Sequence, residues 1–274
     1  MPGVSRRVLP GFGLSLGWAL TYLGLLVLVP LAACFVKAAS LSPAQFAAAV
    51  WTERARAAYA LSVGASLAAA GANAVLGLLV AWVLVRYDFP LKRLFDALID
   101  LPFALPTAVA GLVFSALYVP GGWLGRFLVP LGIEGAYSRL AVVLVLTFTG
   151  FPFVVRTVQP VLAELEAELE DAAATLGASR WQTFRRVLWP PLLPALLTGF
   201  ALALARGLGE YGSVVFVSGN RPFRTEIAPV LIVSRLEEFA YAEATAIAVV
   251  LLSLSFALLV TVNLLERWSK RYAN

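Results

Sequence analysis

Few side chains in this chain could do chemistry, and their spacing narrows what that chemistry is. Arg206 and Glu210 stand four residues apart, so on a helix they share a face and can pair. Asp96 and Asp100 are related in the same way, and Asp100 opens a run that carries Pro102 and Pro106. Proline frees backbone carbonyls and bends a helix, so this stretch reads as a broken helix that lines a pathway or acts as a hinge. Arg156 follows Pro152 near the end of another apolar block. The 274 residues include no histidine and a single cysteine, Cys34. Imidazole catalysis, a His- or Cys-cluster metal site and an intramolecular disulfide are thereby excluded. No Gly-Lys-Ser/Thr occurs, so the chain has no P-loop with which to hydrolyse ATP. What remains is the chemistry of holding and passing a charge. No catalytic residue, resident cofactor or metal ligand is expected.

Each charged set has two readings. Arg206 and Glu210 form either an ion pair beside a path, with Arg206 facing a passing anion, or a pair that only fixes helix orientation, because a lone charge in a membrane span is costly. Asp96 is expected at the inner interface, simply hydrated. Asp100 is either hydrated too or part of a path lining, where a carboxylate would repel an anion. Arg156 is expected to snorkel toward headgroups, with the inner mouth of an anion path as the alternative.

The elements that must position these residues are membrane helices. Hydrophobic residues make up 61% of the chain and charged ones 14%, against roughly 25% charged in soluble domains. A helix needs about 20 apolar residues to cross the hydrocarbon core. Spans fall near residues 14–36, 59–85, 94–118, 138–160, 192–217 and 241–265, so the expected fold is all-α with about six transmembrane helices in one domain over 1–274. With the N-terminus inside, the inner segments carry Arg6, Arg7, Arg86, Lys92, Arg93, Arg156, Arg180, Arg185, Arg186, Arg267, Lys270 and Arg271. That is twelve basic residues; eight (Lys37, Arg54, Arg56, Arg126, Arg139, Arg221, Arg224 and Arg235) fall outside, and Arg206 lies within a span. The bias places both termini in the cytoplasm. Arg6-Arg7, an apolar run and Leu31-Ala32-Ala33-Cys34 also resemble a lipoprotein signal, but the run exceeds the usual core of about 7–15 residues and reads as a retained first span.

Between the spans, residues 37–58 read as one amphipathic helix on the outer membrane surface. Residues 86–93 form a short inner turn, and the outer loop near 120–132 has room for a short re-entrant or surface helix. Small residues recur every fourth position at Gly64, Ala68 and Ala72, and again at Gly199, Ala203 and Gly207. Such stripes let helices approach closely, within the chain or against a second subunit.

One stretch differs from everything around it. From Glu164 to Pro194 the chain is polar, with acidic residues (Glu164, Glu166, Glu168, Glu170, Asp171) before Gly177 and Arg180, Arg185 and Arg186 after it. It reads as a helix, a glycine break, a second short helix and a proline-marked return to the bilayer. Asp171-Ala172-Ala173, three residues, Gly177, nine residues and Val187-Leu188-Trp189-Pro190 resemble the EAA loop of ABC importer permeases, with Asp171 for Glu, Val187 for Ile and the bulkier Trp189 for Leu. The runs from Asp100 to Gly111, Pro152 to Arg156, Val158 to Pro160 and Arg206 to Ser213, with Gly219-Asn220, extend the likeness. Together they are similar to ABC importer permeases of the sulfate/molybdate type, and most of all to the subunit-T family of sulfate/thiosulfate permeases.

The resemblance implies a type I importer permease in a bacterial inner membrane. It would import sulfate or thiosulfate by alternating access, as one half of a heterodimer with a related permease subunit. Two ATPase subunits carrying ATP and Mg, and a periplasmic or extracellular sulfate-binding protein, would complete the importer. Membrane lipid is implied as surroundings and nucleic acid is not. The loop at 161–191 would engage the ATPase through Glu170, Asp171, Ala172, Ala173, Gly177, Ala178, Val187 and Pro190. Asp100, Pro102, Pro106, Arg156, Arg206 and Glu210 are the candidates for the translocation path. A molybdate or tungstate permease, a passive anion channel and a membrane-embedded enzyme are the alternatives. The enzyme would need convergent titratable groups in a pocket.

Overall fold

A computed structural model describes residues 11–165 and 167–273. Arg6, Arg7 and Glu166, named above for their charge, lie outside them. The described residues are almost entirely helical and contain no strand. Five helices are long and apolar enough to cross a membrane: α1 (Phe12–Ala38), α3 (Glu53–Arg86), α8 (Arg139–Glu164), α10 (Arg180–Leu208) and α13, which spans at least Tyr241–Ser269 and runs on to Ala273. Between them lie α2 (Pro43–Val50), α4 (Lys92–Ile99), α5 (Leu101–Ala104), α6 (Thr107–Tyr118), α7 (Gly125–Leu128), α9 (Ala167–Thr175), α11 (Val214–Val217) and α12 (Ala228–Glu237).

Local chemistry sets the breaks. The sequence suggests one helix over residues 37–58. Instead α2 is opened by a capping box, in which the Ser42 hydroxyl accepts from Gln45 N and the Gln45 side chain accepts from Ser42 N. A new helix then starts at Thr52, whose hydroxyl accepts from Ala55 N at 3.1 Å. Glu53, Arg54 and Arg56 therefore belong to the first turn of α3. The expected span at 94–118 is three pieces. Pro102 sits in the first turn of α5, where a missing N–H is tolerated, and Leu105, ahead of Pro106, is forced extended (φ −80°, ψ 130°). The expected span at 192–217 stops at Leu208 and resumes as α11 after a glycine-rich turn. At its other end α10 is continuous from Arg180, so the proline-marked return is not a break. A π-turn at Phe184–Leu188, closed by Trp189 N donating to Phe184 O, precedes Pro190 and Pro191, which lack amide donors. The outer loop near 120–132 holds only the single turn α7 and a short 3₁₀ turn.

The core forms where α3, α8 and α10 meet. Ala81, Leu84, Val154, Val158, Leu162, Leu192 and Leu204 are buried together at one end. Ala65, Ala69, Val142, Val145, Val214 and Val217 fill the other. In lipid the driving force is close packing, and α3 supplies it with small residues. Gly77 lies against Val154, and Gly150 against Asn73 and Ala203. The Gly199/Ala203/Gly207 stripe is buried in the same way: a side chain at Gly199 would meet the α8 backbone at Val154, 2.8 Å away. The other stripe behaves differently, since Gly64 and Ala68 face outward and the buried face of α3 runs through Ala65, Ala69 and Ala70. Helix α13 flanks α10 and carries the C-terminal half of α1, of which only Ala38 is buried.

Gly199→Leu should therefore cost about 1–3 kcal/mol through overpacking, seen as a lower thermal midpoint in detergent. Gly64→Leu, with nothing within 4 Å of the added carbon, should stay within about 0.5 kcal/mol.

Candidate functional site

The polar loop is built as a compact hairpin. Helix α9 ends in a Schellman motif: Ala178 N donates to Ala173 O at 3.0 Å and Gly177 N to Ala174 O at 2.9 Å. Gly177 takes the left-handed conformation this requires (φ +80°), although a side chain there would meet no neighbour. The glycine is needed for its backbone, not for space. Ser179 then caps α10 through a box with Gln182. Asp171 and Ala172 are exposed, Glu170, Ala173 and Ala178 half-buried. Two apolar side chains stand out from the hairpin, Leu176 at 88% exposure and Trp181 at 67%. The glycine turn thus presents a bare leucine and tryptophan between charged limbs, an exposed apolar patch on an otherwise polar loop.

The return limb is held from the inside. The Phe184 ring packs against Trp82 (6.0 Å between centroids), Trp181 (5.7 Å) and Trp189 (5.9 Å). The bulky Trp189, the departure from the resembling motif, is thus a member of an aromatic cluster. Val187 packs on the main core beside it, and Pro190 is half-buried. On the outgoing limb, Glu170 pairs with Arg86 at 2.6 Å.

A second site lies where α4 and α5 meet α8. Arg156 donates Nε to Asp100 Oδ1 (2.9 Å) and Nη2 to Asp100 Oδ2 (2.7 Å). Its Nη1 donates to Asp96 Oδ1 and Gln159 Oε1, both at 2.7 Å, and its Nη2 also to the Asp96 carbonyl at 2.8 Å. All five guanidinium donors are used. The expectation that Arg156 snorkels to headgroups, or faces an anion at the inner mouth, is corrected: it has no donor left to offer. Asp96, expected to be hydrated, is bound to Arg156 and to Gln159 Nε2 (3.2 Å). Two carboxylates on one guanidinium leave a formal charge of about −1 there, which repels anions. Asp100 and Arg156 therefore pin the break between α4 and α5 to α8. Pro102 lines an apolar cavity of about 580 Å³ with Phe95, Leu98 and Phe148, and Pro106 opens α6.

The third site is the end of α10. Arg206 and Glu210 pair at 2.5 Å, as their spacing indicates. Glu210 is 1% exposed, and its Oε1 accepts from both Ser213 N and Ser213 Oγ at 2.9 Å. The Arg206 side chain is 36% exposed. A buried carboxylate thus anchors a guanidinium that reaches the outside of the bundle. Gly212 sits against Thr107, and Gly111 against the Ser213 carbonyl, so the glycines around the pair let α6 close onto this turn.

Some functional contacts left no trace in local spacing. Arg54 grips Glu226 through two hydrogen bonds (2.7 and 2.6 Å) across 172 residues. Arg86–Glu170 likewise joins distant segments. Leu176 and Trp181 were visible as apolar residues in a polar loop, and that contrast was the available signal.

These features together (long helices packed through small residues, a broken third span and an exposed helical hairpin) define a membrane transport component. The chain belongs to the family of binding-protein-dependent transport system inner membrane components, which it matches over residues 73–271. It is 52% identical over 263 residues to the sulfate transport system permease protein CysT of a Synechocystis species, covering 95% of this chain and 92% of that one. To the protein of the same name from Escherichia coli K12 it is 48% identical over 268 residues, 97% of each chain. The fold is similar to that of a bacterial ABC transporter involved in the import of the acidic polysaccharide alginate (TM-score 0.70, 16% identity, 93% and 94% of the two chains). It is also similar to the alginate transporter in complex with a pentasaccharide-bound periplasmic protein (TM-score 0.72, 16% identity, 96% and 94% covered). The all-α type I importer permease fold is the fold observed.

Arg156→Gln should destabilise the protein by about 1–3 kcal/mol, by leaving two carboxylates without their donor, and adding Asp100→Asn should recover part of the lost thermal midpoint.

Proposed function

We propose that this chain is one transmembrane half of an ATP-driven importer of sulfate or thiosulfate. The observation that carries the reading is the exposed hairpin at Ala167–Thr175 and Gly177, joined to membrane helices at both ends, in a chain about half identical to sulfate permeases over nearly its whole length. In this reading both termini and the hairpin are cytoplasmic in a bacterial inner membrane. A related second permease subunit completes the pathway, two ATPase subunits bind ATP and Mg and hydrolyse the ATP, and a sulfate-binding protein delivers the anion from outside.

The geometry supports the following mechanism. Leu176 and Trp181 seat in the ATPase, Asp171 and Arg180 orient the contact, and the Gly177 turn sets the angle between the limbs. When the ATPase subunits close on ATP, the hairpin moves as a body, and α8 and α10 move with it. The path opens outward, takes the anion and is reset by hydrolysis. No bond in the anion changes. Among the candidate path residues, Arg206 suits the passing anion best: its guanidinium is accessible, and Glu210 offsets its charge enough to attract a dianion without trapping it. Backbone N–H groups complete the coordination, as tetrahedral oxyanions are often bound.

The test is uptake of labelled sulfate by proteoliposomes holding this subunit with its co-purified permease and ATPase partners, binding protein outside and ATP inside. ATP-dependent uptake blocked by excess thiosulfate but not by molybdate is the expected result. Entry of molybdate alone would move the cargo assignment, and passive leak without a co-purifying ATPase would sink the importer reading. In the same assay Gly177→Asp should leave ATP hydrolysis in place and abolish uptake at equal membrane abundance. Undiminished uptake would remove the coupling role from this turn.

A further inference from the structure

The last turn of α3 touches both limbs of the hairpin. Trp82 and Arg86 stand four residues apart and so share one face, with the Arg86 guanidinium 5.6 Å from the Trp82 ring. Trp82 meets Phe184 of the return limb edge-on at 6.0 Å. Arg86 meets Glu170 of the outgoing limb at 2.6 Å. Arg86 Nη2 and Glu170 Oε1 are both buried and neither is aligned for a hydrogen bond. Their contact is therefore a charge contact between shielded atoms of side chains that are 21% and 32% exposed, where attraction is somewhat stronger than on a fully open surface. The outgoing limb is short, and Gly177 makes its junction with the return limb a turn without side-chain support. Left to the chain alone, the limbs could splay. The grip of Trp82 and Arg86 makes them one body and attaches that body to a third membrane helix.

We infer that Arg86 and Glu170 form the strut through which movement of the hairpin enters α3, a helix not contiguous with it in the chain, so that α3, α8 and α10 shift together. Arg86 and Glu170 are positioning residues: they contact neither the anion nor the nucleotide. The inference rests on the importer reading above and adds to it the route of the motion. The strut needs opposite charges at the two positions, not their identity.

The experiment uses the reconstituted importer with binding protein and ATP, reading sulfate taken up per ATP hydrolysed and the stimulation of hydrolysis by loaded binding protein. Arg86→Glu and Glu170→Arg should each lower the coupling ratio about tenfold, within the 5–150-fold range of coupling between sites. The double exchange should restore it to within about threefold of the parent. Glu170→Gln, which keeps size and removes charge, should lower the ratio severalfold while the solubilised complex still assembles, with at most a small drop in its thermal midpoint. That separates coupling from folding even if a reversed variant fails to assemble. An unchanged ratio in Glu170→Gln, or a double exchange no better than the single ones, overturns the strut. A parent complex that takes up no oxyanion overturns the importer reading itself, and the strut with it.

Discussion

A charge among apolar helices must bring its counter-charge with it, and the rest of this structure is arranged around that requirement. Four arginines meet it in three ways. Arg206 finds Glu210 within its own helix. Arg156 gathers two aspartates from the helical pieces ahead of it. Arg54 and Arg86, at opposite ends of α3, each reach a carboxylate far along the chain. Apolar helices solvate a charge poorly, so separating a pair with a buried partner, as at Glu210 or Glu226, costs more than it would on a soluble surface. The pairs therefore specify which segments lie together, a task that apolar contact, as favourable with lipid as with protein, cannot perform alone.

The breaks in the helices serve the same end. Pro102 and Pro106 interrupt the third span where Asp96 and Asp100 must turn toward Arg156. The glycines near Glu210 interrupt α10 where the carboxylate must accept from Ser213. Irregular backbone within a membrane protein is tolerable only where other groups satisfy it, and here each irregular segment sits beside a charged residue that supplies or accepts hydrogen bonds. Fold and site are in this sense one arrangement.

Much of this was legible from the residues, and the boundary of what was legible has a physical cause. Local periodicity exposed the long helices, the Arg206–Glu210 pair and the Gly177 turn, because each depends on residues within a few positions of one another. The partners of Arg156 were both singled out, yet their meeting was not foreseen, since it requires α4 to fold back on α8. The outward face of Gly64 and Ala68 was hidden for a similar reason: α3 is lined with small residues on more than one side, and only the position of α8 decides which side is buried. The Arg54–Glu226 and Arg86–Glu170 pairs had no local signature at all. Trp189 is bulkier than the motif's leucine and fits because Phe184 meets it.

The length of α3 has a mechanical consequence. Its 34 residues make a rod of about 51 Å, against a hydrocarbon layer of about 30 Å, so it extends past the apolar layer. No proline interrupts it, and its regular hydrogen bonding leaves no obvious hinge. A tilt of about 5° around its midpoint would carry each tip about 2 Å, in opposite directions. One tip holds Arg86 and the other holds Arg54. The same rod that grips the hairpin is therefore a first-class lever, whose far arm ends at Glu226 and moves whenever the near arm does.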